Sequence, residues 1–367
     1  MELVYQCRDS GLKAILIRGL GSERDQAERE VLEAGVPLAL PYRAVWAEHL
    51  HRRESWFLIV RDQNGRACAG VAIERSRTRA LPGHAILCMG KFGGSLPLEV
   101  SRVVLQTFAL LVRKDPWILR SFVSVFSRDR RDAIGELLKE LGFREVLPPN
   151  AYRYTLVIDL KPSEDEIFAA LGKSARKRIR ETLKMSFRSI VISDPVYADR
   201  LKELQQQALR RTGGHSSPQN WPGILRMSNE HPNLSRVFGF FLGENTSPEE
   251  MAAFGWVCNH GDHGEYRSGG SKSGGEVRIS LSSLLLWDMI RWAKAAGAEW
   301  FDMGGVTLAD GDEPELEGIS NFKRYFSREV VEVGAEWVLE PHPVRAGIAT
   351  LVSGGAEHVR KLMKTRA

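Results

Sequence analysis

The run Ser283-Leu284-Leu285-Leu286-Trp287-Asp288-Met289-Ile290-Arg291-Trp292-Ala293 carries only two charges, and Gly297-Ala298-Glu299-Trp300-Phe301-Asp302-Met303-Gly304-Gly305 follows it. Apolar residues at helical spacing predict a long helix from Leu281 to Ala296. Gly297 closes that helix, because glycine takes the left-handed C-cap conformation at no steric cost. Glu299 to Met303 then reads as a strand, so the stretch is a helix-to-strand unit of an α/β domain. A second such unit lies in the first half. There Asp129 to Leu141 is an amphipathic helix stopped by Gly142, and Phe143-Arg144-Glu145-Val146 follows.

Outward from these units, strands and helices alternate. In the first half, Ala14-Ile15-Leu16-Ile17 is apolar and Ser22 to Ala34 is a helix with Ser22 as its cap. Trp56 to Val60 and Ala67 to Glu74 form a hairpin through Asp62-Gln63-Asn64-Gly65. Glu99 to Val112 is an apolar helix, and Phe122 to Phe126 a buried strand. In the second half, Tyr154 to Asp159 is a strand and Ser163 to Leu171 a helix with Ser163 and Glu166 at capping-box spacing. Lys173 to Met185 is a basic helix, Ser189 to Ile192 a short strand and Val196 to Arg211 a helix. After the polar loop Thr212 to Pro222 come strands at Arg236 to Leu242 and Met251 to Cys258. The shared element order predicts an internal duplication.

Composition agrees with two folded domains. The chain has 367 residues, 43% apolar and 26% charged, which gives ample core and excludes disorder, collagen and coiled coil as the main architecture. No apolar run reaches about 18 residues, and the N-terminus has no basic or apolar leader, so a cytoplasmic protein is expected, at most peripheral to the inner membrane face. Cys7, Cys68, Cys88 and Cys258 lack metal or redox spacing. Net charge is +5, with 23 basic against 18 acidic residues up to Asn150, yet the dense cationic stretch lies later. Lys173, Arg176, Lys177, Arg178, Arg180, Lys184 and Arg188 face a single acid, Glu181.

The first half resembles an N-acyltransferase domain of the GNAT type in its element order and its Leu137-Leu138-Lys139-Glu140-Leu141-Gly142-Phe143 close. The second half resembles the Fem family, the peptidoglycan-bridge aminoacyltransferases related to GNAT enzymes. Four ordered blocks carry that likeness: Ser174-Ala175-Arg176-Lys177-Arg178-Ile179-Arg180, Tyr266-Arg267-Ser268-Gly269-Gly270-Ser271, the 283–305 stretch, and Gly318-Ile319-Ser320-Asn321-Phe322-Lys323-Arg324-Tyr325-Phe326. The resemblance implies an α/β (α+β) fold of tandem GNAT-like acyltransferase domains, each a mixed central sheet flanked by helices. The expected bounds are 1–150 and 151–345, with a helical tail at 346–367. It implies substrates in a groove on and between the domains, and transfer of an amino acid from aminoacyl-tRNA to an amine of a peptidoglycan precursor or similar peptide. Other branches modify natural-product amines or are described as acyl-CoA N-acyltransferases. Two departures stand out. No segment between Leu171 and Phe241 is long enough for the helical arm of members that act on lipid-linked precursors, and Trp46 is followed by Ala47-Glu48-His49-Leu50 where compact members place a lysine.

Attack of an amine on an activated ester needs alignment and a stabilised oxyanion rather than a protein nucleophile. The absence of Ser-His-Asp order, H-E-x-x-H and a Walker loop fits direct transfer without metal or cofactor. Lys323 occupies the position where the family carries a functional lysine, which would neutralise a terminal tRNA phosphate or the oxyanion. Asp302, at a strand end before two glycines, would orient the attacking amine or help take its proton, or else cap its loop. Candidate substrate contacts are Tyr266, Arg267, Gly304, Gly305, Phe322 and Trp46, with Arg210, Arg211 and His215 around Thr212-Gly213-Gly214. The stripe Lys173, Arg176, Lys177, Arg180 and Lys184, with Arg324, would meet an anionic partner, tRNA or an anionic membrane surface.

GNAT enzymes hold the CoA pyrophosphate on small residues at a helix start, and here Leu281 and Ser283 occupy those positions. Gly269 to Gly275 would bind phosphate or be a flexible loop. The expected function is therefore an aminoacyl-tRNA-dependent N-aminoacyltransferase acting as a monomer. The alternatives are an acyl-CoA-dependent N-acyltransferase and a non-catalytic tRNA or precursor-binding module.

Overall fold

The computed structural model describes residues 2–7, 9–49, 54–212, 219–272, 281–308 and 314–352. In chain order the first half gives β1 (Glu2–Gln6), β2 (Lys13–Arg18), α1 (Ser22–Glu33), α2 (Ala44–His49), β3 (Glu54–Arg61), β4 (Ala67–Arg77), β5 (Ala85–Gly93), α3 (Leu98–Lys114), β6 (Ile118–Phe126), α4 (Arg131–Glu140) and β7 (Arg144–Glu145). The second half gives β8 (Tyr154–Asp159), α5 (Glu164–Ala170), α6 (Lys173–Thr182), β9 (Phe187–Val191), α7 (Ala198–Thr212), α8 (Trp221–Glu230), β10 (Ser235–Leu242), β11 (Met251–Asn259), β12 (His263–Ser271), α9 (Leu281–Ala295), β13 (Trp300–Gly305), α10 (Pro314–Arg324) and β14 (Val330–Glu332). β15 (Gly334–Leu339) follows, and residues 343–352 are helical.

These elements form two compact units, one of Met1–Ala44, Arg52–Ala151 and Val333–Ala367, the other of Val45–His51 and Tyr152–Glu332. In the first unit the sheet order is β1-β2-β3-β4-β5-β6-β15-β7, with β5 and β6 parallel and α3 as their crossover. In the second the order is β14-β8-β13-β12-β11-β10-β9, with β12 and β13 parallel and α9 between them in sequence. Each sheet thus contains one parallel pair among antiparallel strands, and the duplication expected from element order is present. The α/β class and the mixed sheets flanked by helices are likewise observed.

The boundaries differ from a single break at 150 and an end at 345. β15 pairs antiparallel with β6 and β7, so the chain returns to the first sheet after finishing the second. Trp337 holds it there, 4% exposed and against Gly135 of α4, where an added Cβ would stand 3.0 Å from the indole. Residues 45–49 instead pack with the second unit, where Asn220 Nδ2 donates to the His49 carbonyl at 3.2 Å. Residues 353–367 of the expected tail lie outside the described ones.

Local rules account for most elements. Ser163 and Glu166 form the reciprocal capping box of α5. α9 is apolar nearly all round because it is covered on both sides: Leu284, Leu285, Trp287, Met289, Ile290 and Ala293 are buried, with β11 and β12 beneath and α6 alongside. α1 departs from expectation, since Gly21 is its N-cap and Ser22 makes no capping bond. The basic helix stops at Thr182 rather than Met185, because only Ala175, Ile179 and Thr182 supply a buried face.

Candidate active site

β12 and β13 pair for only three positions, His263 with Trp300, Gly264 with Phe301 and Glu265 with Asp302. Beyond them β12 remains on β11 to Ser271, while β13 shifts register against β8 between Asp302 and Gly305. Parallel strands that part in this way leave a notch, with Tyr266 and Arg267 on one lip and Met303, Gly304 and Gly305 on the other. β5 and β6 of the first unit shift register between Met89 and Phe92 but pair again at Phe92 with Val125 and Gly93 with Phe126.

α10 brings Lys323 to this notch. Its Nζ donates to the Gly305 carbonyl at 2.7 Å and stands 5.8 Å from the centre of the Tyr266 ring, and the residue is 5% exposed. Gly304 sits at φ +73, where an added Cβ would stand 3.1 Å from the Tyr266 carbonyl and 3.3 Å from Lys323 Nζ. A side chain there would meet both backbone strain and Lys323.

Two buried carboxylates face the ammonium from behind. Asp302 is wholly buried and accepts from the Tyr152 hydroxyl at 2.5 Å, the Gly304 N–H at 2.8 Å and the Thr155 hydroxyl. Those three donors use most of the acceptor capacity of a carboxylate, so Asp302 is anchored. Glu265, 2% exposed, receives His260 Nε2 at 2.7 Å and Arg267 Nη1 at 3.2 Å. The Tyr152 oxygen lies 3.4 Å from Glu265 Oε1, so one phenol bridges the pair while its proton goes to the nearer Asp302.

Burial shapes the electrostatics. It lowers Lys323 from 10.5 to about 8, against the opposing pull of Asp302 and Glu265. It also raises Tyr266 to about 12, and together with Asp302 and Glu265 it raises Tyr152 well above the usual phenol range. Glu265 beside it holds the Arg267 guanidinium fully charged.

The structure brings seven of the expected residues together: Lys323, Asp302, Gly304, Gly305, Tyr266, Arg267 and Trp46. Trp46 of α2 stacks on Trp256 at 6.4 Å and 11°, and the Arg267 guanidinium lies 6.0 Å from its ring. Phe322 packs, as Tyr266 does, against the core of the second unit, with its ring 5.6 Å from that of Phe326. Arg210 and Arg211 are exposed at the end of α7, where Arg211 reaches the Ser271 carbonyl at 3.4 Å, and His215 lies outside the described residues. Gly269 and Gly270 are strand residues. Cβ atoms there would strike the Tyr266 hydroxyl at 2.3 Å and the Leu204 carbonyl at 2.6 Å, so close packing rather than loop freedom explains them. The helix start at 278–280 is outside the described residues.

Tyr152, Thr155, Glu265 and His260 complete the site without having been singled out. Glu265 left a trace, as a carboxylate next to Tyr266 and Arg267 in a buried strand, whereas Tyr152 and Thr155 left none.

Among the cations of the basic stretch, Lys173, Lys177 and Arg180 are exposed on one side of α6, Arg176 is half-buried, and Lys184 lies just beyond the helix. Lys177 meets Glu181 at 3.7 Å and Arg178 covers the Tyr325 ring at 4.6 Å. A pocket of about 720 Å³ opens at the start of α6, where Lys173, Ser174, Arg324 and Arg328 share the lining with Glu166 and Glu329. Lys323 is not in that lining, but its chain neighbours Arg324, Tyr325 and Phe326 are. Arg324 is tied to the Thr307 carbonyl at 2.5 Å. No helix among the described residues is long and apolar enough to cross a membrane.

No protein-family model matches the chain, and no curated protein matches it. Solved structures do. A crystal structure of FemX aligns with TM-score 0.72 at 14% identity, covering 90% of this chain and 99% of the other. L-PGS from Bacillus licheniformis aligns with TM-score 0.53 at 13% identity over 91% and 98%. The C-terminal domain assigned to a lysylphosphatidylglycerol synthetase of Agrobacterium fabrum aligns with TM-score 0.51 at 11% identity over 90% and 96%. At these identities the likeness establishes the fold alone, one shared with FemX over nearly the whole of that chain.

Proposed function

We propose that the protein is an acyltransferase that moves an amino acid from aminoacyl-tRNA to an amine of a peptidoglycan precursor or similar peptide. The observation that carries this reading is the Lys323 ammonium, buried in the sheet notch with one N–H on the Gly305 carbonyl and two more to offer. In the reaction the acceptor amine attacks the ester carbonyl of the donor, and the carbonyl oxygen becomes an oxyanion. Collapse breaks the ester C–O bond, the tRNA ribose oxygen leaves with a proton, and the amine loses one as the amide forms. No electron is exchanged.

Lys323 is the group in this notch that meets the oxyanion, and its low exposure strengthens that charge interaction. Asp302 and Glu265 keep the ammonium protonated near neutral pH despite burial. With three donors on Asp302, its role is to position Lys323 and the Gly304 turn rather than to take the amine proton. The exposed cations of α6 and the pocket at its start supply phosphate contacts for the tRNA end. The names of the neighbouring structures support aminoacyl transfer, and the Fem-like blocks support a cell-wall acceptor.

Single-turnover reaction of labelled aminoacyl-tRNA with a precursor peptide tests this directly. Wild-type protein should form the amide, and Lys323→Met should slow that step by about 100-fold, typical of losing one oxyanion donor, while donor binding persists. Equal rates in the two proteins would remove Lys323 from the chemistry.

A further inference from the structure

The helix at 343–352 is amphipathic the wrong way round. Its inner side is made of Ala346 and Ala349, buried at 0% and 3% against Leu119, with Ala80 and Leu81 alongside. Its large apolar residues are outside: Val344 is 78% exposed, Ile348 48%, Leu351 77% and Val352 47%. Spaced i, i+4, i+7 and i+8, these four share a single face that points away from the alanines. A helix kept only for the fold would bury that face. Here the anchoring is polar, through Arg120 Nη2 to the Ala346 carbonyl at 2.9 Å and Arg345 Nη1 to the Pro116 carbonyl at 3.1 Å.

The surroundings are aromatic and basic. Trp117, 55% exposed, follows the Pro116 that Arg345 contacts, and Arg77 and Arg79 are exposed on the segment leading to Ala80 and Leu81. Lys114 ends α3 beside them. The nearby acids are engaged: Asp115 caps the Trp117 N–H, and Glu340 pairs with Arg120 and Arg144. The sequence past residue 352 continues the bias with Arg360, Lys361, Lys364 and Arg366 against one acid, Glu357. A continuous apolar helix face beside a tryptophan and a surplus of cations has the composition of an element that lies in the plane of an anionic bilayer surface.

We propose that the 343–352 helix docks the protein on the surface of an anionic membrane through Val344, Ile348, Leu351 and Val352. This docking surface is independent of the transfer chemistry assigned to the second unit. It acts by partial insertion of the apolar face, with Arg77, Arg79 and Arg345 meeting lipid phosphates.

Vesicle flotation of the full chain tests it, using vesicles of phosphatidylglycerol and phosphatidylcholine against vesicles of phosphatidylcholine alone. Both substituted positions are more than three-quarters exposed, so Val344→Asp with Leu351→Asp should leave thermal unfolding unchanged. Wild-type protein should float with the anionic vesicles only, and the double variant should lose about tenfold or more of that partitioning. Raising salt to about 0.5 M, where charges are screened within about 4 Å, should weaken binding without abolishing it. Three results would each overturn the proposal. One is no flotation with either vesicle. A second is flotation of the variant equal to wild type, which would place the lipid contact elsewhere. The third is a concentration-dependent dimer, lost in the variant, with no vesicle binding, which would show that a second copy covers the face.

Discussion

Lys323 carries a charge that its surroundings disfavour, and this has a measurable pH signature. Unfolded, its amine titrates near 10.5; folded, burial lowers that to about 8. Below pH 8 both states hold the proton and the full burial cost of about 3 kcal/mol is present. Between pH 8 and 10.5 the folded amine is neutral while the unfolded one keeps its proton, so this group's contribution to stability rises with pH. The stability of wild type relative to Lys323→Met in denaturant unfolding should therefore rise by about 3 kcal/mol from pH 7 to 10.5. A difference constant across that range would mean that the ammonium is not buried as described. Asp302→Asn turns an acceptor into a partial donor toward the Gly304 N–H and removes a charge that pulls Lys323 upward. It should destabilise the fold by roughly 2–4 kcal/mol and move the alkaline loss of activity to lower pH than in wild type. An unchanged pH profile would separate Asp302 from Lys323. Both residues were legible in sequence, Lys323 from a family block and Asp302 from its place before two glycines. Tyr152 and Thr155 were not, and Glu265 only as a neighbour of Tyr266 and Arg267, because their roles exist only once β12 and β13 part at Glu265 and Asp302.

At the scale of elements, α6 shows how much a charge count can say. Seven cations against one acid pointed to an anionic partner, but the helix turns only some of them to solvent. Ala175, Ile179 and Thr182 face the core, Arg176 is half-buried and Arg178 lies over Tyr325. Lys173→Glu, Lys177→Glu and Arg180→Glu together should weaken tRNA binding and flatten its log–log salt dependence by about 2 to 3, close to one counterion per lost phosphate contact. Binding with an unaltered slope would assign the phosphates to another surface. Helices with strong local signals, such as α5 with its capping box and α9 with its closing glycine, were readable in advance. β12 was less so, since its Ser268-Gly269-Gly270-Ser271 end has the composition of a loop. Only the close approach of Leu204 and of the Tyr266 hydroxyl explains why glycines stand in a strand there.

In the whole molecule, two mixed sheets, each with one parallel pair, were visible from the repeating elements. The return of β15 to the first sheet was not, because nothing in the composition of Gly334 to Leu339 distinguishes one sheet from the other, and pairing with β6 and β7 decides it. The two units also differ in structure. After a register shift between Met89 and Phe92, β5 and β6 of the first unit pair again as far as Gly93 and Phe126, whereas β12 and β13 pair at three positions, and among the described residues Lys323, Asp302 and Glu265 gather in the second unit. The central claim is that this notch serves an ester donor carried by tRNA. Mass analysis of a peptidoglycan precursor peptide, incubated with the protein and with aminoacyl-tRNA and acyl-CoA in parallel, tests it most directly. The peptide should gain the mass of one aminoacyl residue, in step with tRNA deacylation, and gain nothing from acyl-CoA. An acyl increment from CoA alone, or no increment from either donor, would contradict it.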